Sequence, residues 1–253
     1  MPELSECSGY RYLRDSAYDR ETIRHIRRPA IEQVDTFKRY PDAETIKLPT
    51  DWTLKEARIT PLLQKRRSLR KYENESVSIE ELAFMLWASQ GITASSGNYT
   101  FRTAPSGGAL YPIETYFSAN HVEDLNPGLY HFDVENFSID RLTTTDSAEA
   151  VAAACLNQKF MAQAAVSFLW SAVIRRSMSK YGNRGMRYIL LDAGHICQNL
   201  VIAAEATGNG ACPIAAFYDD EVNALLGLDP EEETVLYAAA VGKRVAPKKQ
   251  CSL

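Results

Sequence analysis

Arg66, Ser68 and Arg70 occupy alternate positions in the run Arg66-Arg67-Ser68-Leu69-Arg70. Wherever the backbone is extended, alternate residues share a face, so two guanidinium forks and a hydroxyl would point the same way. Such a trio suits a phosphate: arginine matches phosphate oxygens bidentately, and a charge-assisted bond of this kind contributes about 1.5–3 kcal/mol. Further along, Ala104-Pro105-Ser106-Gly107-Gly108-Ala109-Leu110-Tyr111-Pro112 gathers small residues and two glycines. Backbone without side chains lets amides approach a flat ligand closely. One segment could hold a phosphate tail and the other a ring. Each also has an ordinary reading, as a solvated basic face and as a turn.

The elements that must carry these segments can be read from periodicity. Residues 1–56 are charged and punctuated by Pro29, Pro41 and Pro49, which predicts an irregular arm with a short helix at Glu21–Arg27. A helical pattern runs from Leu54 to Arg66, weakened by Pro61. Ser78-Ile79-Glu80-Glu81 is a capping box, so a helix is predicted over Ile79–Gln90 with its stop at Gly91. The period then changes to strands at Glu114–Ala119, Gly128–Asp133 and Phe137–Leu142, the last two forming a hairpin. Ser147–Asn157 reads as an alanine-rich helix and Ala164–Val173 as a buried strand. The longest helical pattern, Arg187–Thr207, is apolar on several faces and ends at Gly208. His195 within it reads as a core histidine. Cys212–Phe217 is a strand or loop, Asp219–Leu226 a short helix and Thr234–Val241 a closing strand. The mixture predicts an α+β domain over residues 57–253 with a central, mostly antiparallel sheet flanked by helices.

Composition narrows the function. The chain has 253 residues, 45% hydrophobic, and a formal net charge of −4, which argues against coating nucleic acid or an anionic membrane. The first residues contain acids and no apolar run, so no targeting segment is expected, and no stretch approaches the ~20 apolar residues of a membrane span. Five scattered cysteines without CxxC spacing point to a reducing cytoplasm. The four histidines lack metal-ligand spacing, so no metal site is expected. Gly208-Asn209-Gly210 follows a helix instead of a strand, which makes it a helix cap and not a dinucleotide fingerprint.

The two opening segments, in this order, resemble the FMN-dependent nitroreductase family. The resemblance is to the branch of SagB-type dehydrogenases, which oxidise thiazoline or oxazoline rings in modified peptides. It extends through Thr36-Phe37-Lys38-Arg39-Tyr40-Pro41, Ile46-Lys47-Leu48-Pro49, Lys180-Tyr181-Gly182, Arg187-Tyr188, Asp192-Ala193-Gly194-His195, Gln198-Asn199-Leu200, Cys212-Pro213-Ile214-Ala215-Ala216-Phe217, Leu225-Leu226-Gly227-Leu228-Asp229 and Val241-Gly242-Lys243.

That likeness implies a nitroreductase-like fold working as a homodimer. It assigns Arg66, Ser68 and Arg70 to the FMN phosphate, and Pro105, Ser106, Gly107 and Gly108 to the flavin ring, with the two sets able to come from different subunits. It places Pro213, Ile214, Ala215 and Ala216 near flavin N5 through their backbone amides, and Lys243 and Arg244 as added positive charge near the phosphate. It also makes Lys180 and Tyr181 a catalytic pair. Aromatising an azoline requires a proton to leave carbon while hydride leaves to flavin, and a lysine of depressed pKa or a tyrosine is a suitable base. The substrate would be a small molecule or a modified peptide. Two alternatives stay open: reduction of nitroaromatics or quinones with NAD(P)H as a transient electron donor, and a flavin-binding, non-catalytic partner in a biosynthetic complex.

Overall fold

The computed structural model describes residues 3–21, 23, 29–53, 56–97 and 99–245. Its centre is a seven-stranded sheet whose neighbouring strands are all antiparallel, in the order β1-β6-β5-β4-β7-β9-β8. The strands are β1 (Glu44–Lys47), β4 (Ile113–Ala119), β5 (Gly128–Asp133), β6 (Ser138–Arg141), β7 (Val166–Val173), β8 (Asn209–Ile214) and β9 (Glu233–Lys243). A separate hairpin joins β2 (Ile92–Ser96) to β3 (Tyr99–Arg102).

Successive strand residues point to opposite faces, and the sequence fills both. Phe117 of β4 and Phe168 and Trp170 of β7 pack on one side with Leu82 and Leu86 of α3 (Ile79–Gln90) and Ile189 and Leu200 of α7 (Gly185–Ala206). Tyr116 and Leu169 face the other side, against Val151 of α4 (Ala148–Ala154), Met161 of α5 (Phe160–Gln163) and Val222 of α8 (Asp219–Leu225). The three layers thus follow from the alternation in β4 and β7.

The capping box at Ser78 and Glu81 forms in both directions, and α3 occupies the predicted residues. Helix α2 (Ile59–Lys65) is shorter than the predicted pattern, with Pro61 in its first turn, where a missing N–H costs nothing. Gly208 takes φ 77 just beyond α7, as a helix stop requires.

Residues 29–47, expected to be irregular, instead belong partly to the sheet. Ile46 pairs with Ile139, making β1 an edge strand. Lys38 Nζ donates to Glu233 at 2.7 Å and to Tyr116 Oη at 2.8 Å, and Tyr40 and Tyr116 hydroxyls meet at 2.9 Å. Helix α1 (Ser8–Asp15) is also unforeseen: Arg184 donates to the Ser16 carbonyl at 2.8 Å and Arg187 to Ser16 Oγ at 2.9 Å. The predicted helix at Glu21–Arg27 falls largely outside the described residues.

His195 is exposed on α7 and not in the core, as are Leu190 and Leu191. Among the described residues nothing covers this face of the helix, so an apolar neighbourhood in sequence did not mean burial.

Candidate functional site

Beyond α2 the backbone is extended. Ser68 bridges Ala211 in parallel and the Leu69 amide donates to the Ala211 carbonyl at 3.0 Å, so the segment runs along the edge of β8. Leu69 turns inward over Gly210, where an added Cβ would lie 2.6 Å from Leu69 Cδ1. Ser68 and Arg70, its neighbours, are exposed, and Arg66 is half-buried. Among the described residues neither Arg66 nor Arg70 is paired with a carboxylate; Arg70 lies 5.9 Å from the Phe160 ring centroid. Lys243 and Arg244, by contrast, are engaged. Lys243 Nζ meets both Glu81 oxygens at 2.6 and 2.7 Å, and Arg244 is paired with Glu205.

The glycine loop is held from below by α7. Ser106 Oγ donates to Asp192 Oδ2 at 2.6 Å and accepts from the Tyr111 amide at 2.9 Å, while the Gly107 amide reaches Asp192 Oδ1 at 3.3 Å. Burial raises the Asp192 carboxyl pKa, against the Ser106 and Gly107 bonds that lower it. Gly108, Ala109 and Tyr111 all have positive φ, at 71, 54 and 43°. For Ala109 and Tyr111 this is stored strain, which persists only where surrounding contacts over-determine it.

The strained loop carries the site's main observation. A Cβ built on Gly108 would lie 2.4 Å from Tyr181 Oη and 2.8 Å from Lys180 Nζ. Both side chains come from the end of α6 (Ile174–Tyr181), which terminates where Gly182 takes φ 54. Tyr181 is set edge-on against Tyr188 at 4.8 Å between centroids, and Lys180 is exposed beside the Tyr181 ring. A cavity of about 560 Å³ opens there, bounded by Gly108, Leu110, Lys180, the hairpin residue Tyr99, and Thr36 and Phe37 of the arm. Pro105, Ser106, Gly107, Gly108, Lys180 and Tyr181 are thus brought together in one chain.

Arg66, Ser68 and Arg70 lie elsewhere. They follow α2, which shares a groove with Ile202, Ala203 and Ala206 at the C-terminal end of α7, whereas Asp192 holds the glycine loop nearer its start. At 1.5 Å per residue these points are roughly 20 Å apart along the helix. Pro213 and Ile214 end β8, followed by exposed Ala215 and Ala216; the Ala216 carbonyl accepts from Gln158 Nε2 at 3.0 Å.

Four contributors were given no role from sequence: Asp192 and Tyr188, which fall within blocks of the family resemblance, and Arg102 and Arg176. A carboxylate inside an apolar helix is a signal that could have found Asp192. The arginines gave none, because their partners are remote in sequence.

Among the described residues no group of His, Cys, Asp and Glu could hold a metal ion, and no helix is long and apolar enough to cross a membrane.

An antiparallel sheet between helical layers, with a strained glycine loop facing a lysine and a tyrosine, makes this an α+β protein with a candidate active site at one end of that loop. More particularly, the family model "Nitroreductase family" matches residues 63–243, and the chain belongs to that family. A protein of Methanocaldococcus jannaschii named as a nitroreductase is 33% identical over 204 residues, covering 81% of this chain and 98% of the relative. The trifolitoxin-processing protein of Rhizobium leguminosarum bv. trifolii is 28% identical over 58% of this chain, and the microcin B17-processing protein of Escherichia coli 25% over 51%. The chain spans less than half the length of either processing protein, 41% and 49%.

Among solved structures, a nitroreductase-type protein of Anabaena variabilis superposes with TM-score 0.73 at 28% identity, covering 91% of this chain and 45% of the other. The E. coli microcin synthetase complex with truncated pro-microcin bound gives 0.61 at 19%, over 81% of this chain and 80% of that one. A nitroreductase-type protein of Desulfovibrio desulfuricans in complex with FMN gives 0.53 at 20%, over 79% and 93%. The last two establish likeness of fold.

Proposed function

We propose that the protein is an FMN-dependent dehydrogenase, active as a homodimer, that oxidises an azoline or similar ring in a peptide or small molecule. The observation that carries this reading is the convergence of Lys180 and Tyr181 on Gly108. The likeness to two peptide-processing proteins supports the substrate class.

The residues present fit the cofactor. Among the described residues Arg66 and Arg70 are guanidinium groups without carboxylate partners, and Ser68 stands between them on an extended backbone. They would hold the phosphate. Pro105, Ser106, Gly107 and Gly108 would lie against the ring through their backbone, while the missing side chains of the two glycines admit Tyr188, Tyr181 and Lys180 beside it. Pro213, Ile214, Ala215 and Ala216 would supply backbone donors beside it. When bound, FMN supplies a two-electron acceptor for hydride.

A two-fold dimer would bring the phosphate-binding trio of one subunit to the glycine loop of the other, because within one chain they sit at different levels along α7. Exposed Leu190 and Leu191 on that helix would be covered in the same contact.

Within the pocket, the chain's own task is the proton. Oxidation of a ring C–H/C–H or C–H/N–H pair removes one hydrogen as hydride and the other as a proton, and the proton would pass to the Lys180–Tyr181 pair. Asp192 fixes the loop against which the pair works, through Ser106 and Gly107.

A second reading, reduction of nitroaromatics or quinones with NAD(P)H as donor, is favoured by the 33% identity to the archaeal relative named as a nitroreductase. One experiment separates them. Lys180→Ala and Tyr181→Phe are expected to lower azoline turnover about 10²–10⁴-fold, the usual worth of general acid–base catalysis, with bound FMN unchanged and nitroaromatic reduction nearly intact. Equal loss of both activities together with flavin would make the pair structural and remove the dehydrogenase reading.

A further inference from the structure

The cavity beside Lys180 owes five of its lining residues, Pro29, Ile31, Gln33, Thr36 and Phe37, to the N-terminal segment. That segment is tied down by two buried arginines. Arg176 donates through Nε to the Asp35 carbonyl at 2.7 Å, and through Nη1 to the Tyr111 carbonyl at 3.1 Å and to Glu114 at 2.5 Å. Arg102 donates to Gln90 at 2.8 Å, and its guanidinium carbon lies 4.4 Å from the Tyr111 ring centroid and 5.4 Å from that of Phe37. Both arginines therefore join the same two things: the arm at residues 35–37 and Tyr111, the strained end of the glycine loop.

Burying two guanidinium groups is a costly way to hold a surface segment, because desolvation offsets much of what their partners return. An apolar contact would attach the arm equally well but would not fix its register against the loop. Among the described residues, the cavity's lining carries a single charged side chain. Its lining residues include Lys180 and no Asp or Glu, with Gln33, Thr36, Thr100 and Ser179 as neutral hydrogen-bonding groups. Phe37 lines this space, and its ring lies against the Arg102 guanidinium.

We propose that residues 29–37 are the outer wall of the substrate pocket, that Phe37 is a specificity-determining residue selecting flat rings while Lys180 disfavours a positive charge on them, and that Arg102 and Arg176 are positioning residues holding this wall in register with the Gly108 loop. The inference rests on the function proposed above only for the identity of the ring. Aromatic pairing then discriminates flat rings from aliphatic ones by offset or edge-to-face contact.

The test uses the full-length, FMN-loaded protein and two measurements. Calorimetric titration with a thiazole-bearing peptide is expected to show binding that weakens about 10-fold in Phe37→Ala, while a peptide carrying a cationic pyridinium ring binds neither form. Equal affinities in parent and variant, or no binding by the parent, would overturn the wall. Hydrogen exchange is expected to rise at least 10-fold across residues 29–37 in Arg176→Gln, with the core of α7 unchanged. Arg102→Lys, which keeps the charge and loses the planar contact, gives a milder rise and serves if Arg176→Gln does not fold. Unchanged exchange in a folded variant would overturn the latch. A parent that binds the thiazole peptide yet oxidises no azoline refutes the reaction and leaves the wall standing.

Discussion

Arg66 and Arg70 differ from Arg102 and Arg176 in what surrounds them, although the side chains are identical. The first pair is exposed or half-buried and, among the described residues, free of carboxylates. The second is buried at 8% and 3% exposure and committed to protein groups. Burial raises the Glu114 carboxyl, but Arg176, His131 and Arg102 outweigh it and hold it at about 2. Arg102 itself is pushed down to about 10, by burial first and then by Arg176, and stays charged at neutral pH. A guanidinium left unpaired is available to a ligand; one enclosed by partners is architecture. The comparison predicts that the two pairs fail in opposite ways.

The largest effect is expected in Arg66→Ala/Arg70→Ala. Losing two charge-assisted contacts of about 1.5–3 kcal/mol each weakens FMN binding by roughly 10²–10⁴-fold. Thermal stability of the flavin-free protein should move little, since among the described residues neither group pairs with a carboxylate and Arg70 has only a long contact to the Phe160 ring. Fluorescence titration of FMN alongside thermal unfolding measures both. An unchanged dissociation constant would place the phosphate elsewhere.

Arg176→Met should do the reverse. Removing one partner of a buried ion pair costs about 3–5 kcal/mol, and because His131 still sits 2.9 Å from Glu114 the loss is expected at the low end of that range. The pH dependence sharpens this. A carboxyl whose folded value is depressed adds stability above its unfolded value, near 4.5, and loses it as pH falls toward about 2. The stability gap between parent and variant, measured by denaturant unfolding, should therefore narrow as pH drops through that window. A gap independent of pH would mean the Glu114 charge is not what Arg176 compensates.

How far the sequence discloses this contrast depends on distance along the chain. The capping box at Ser78 and Glu81 set the start of α3, because its signal is local, and the Gly128–Asp133 and Ser138–Arg141 hairpin was legible for the same reason. Ser68 and its flanking arginines could be read as a group from alternation alone. Nothing local could show that Arg176 meets Asp35 and Glu114, or that Tyr181 meets Gly108. Strand β1 was missed because Glu44-Thr45-Ile46-Lys47 has one apolar residue; it is a strand by virtue of β6 beside it. Helix α6 was missed because Ile174-Arg175-Arg176-Ser177-Met178-Ser179-Lys180-Tyr181 is short and polar, and its buried face is completed by an arginine.

Lys243 and Arg244 test the rule at its weak end. Sequence likeness assigns both to the phosphate, yet each already faces a carboxylate, Glu81 and Glu205. If commitment to protein partners decides the role, Lys243→Ala/Arg244→Ala should weaken FMN binding less than about 10-fold, far below the effect at Arg66 and Arg70. Stability should fall by no more than about 1 kcal/mol for each pair, since partly exposed ion pairs are screened and contribute little. The same fluorescence titration decides it. A loss as large as that of Arg66→Ala/Arg70→Ala would show that a ligand can draw these cations away from their carboxylates, and that unpaired geometry alone does not identify the phosphate site.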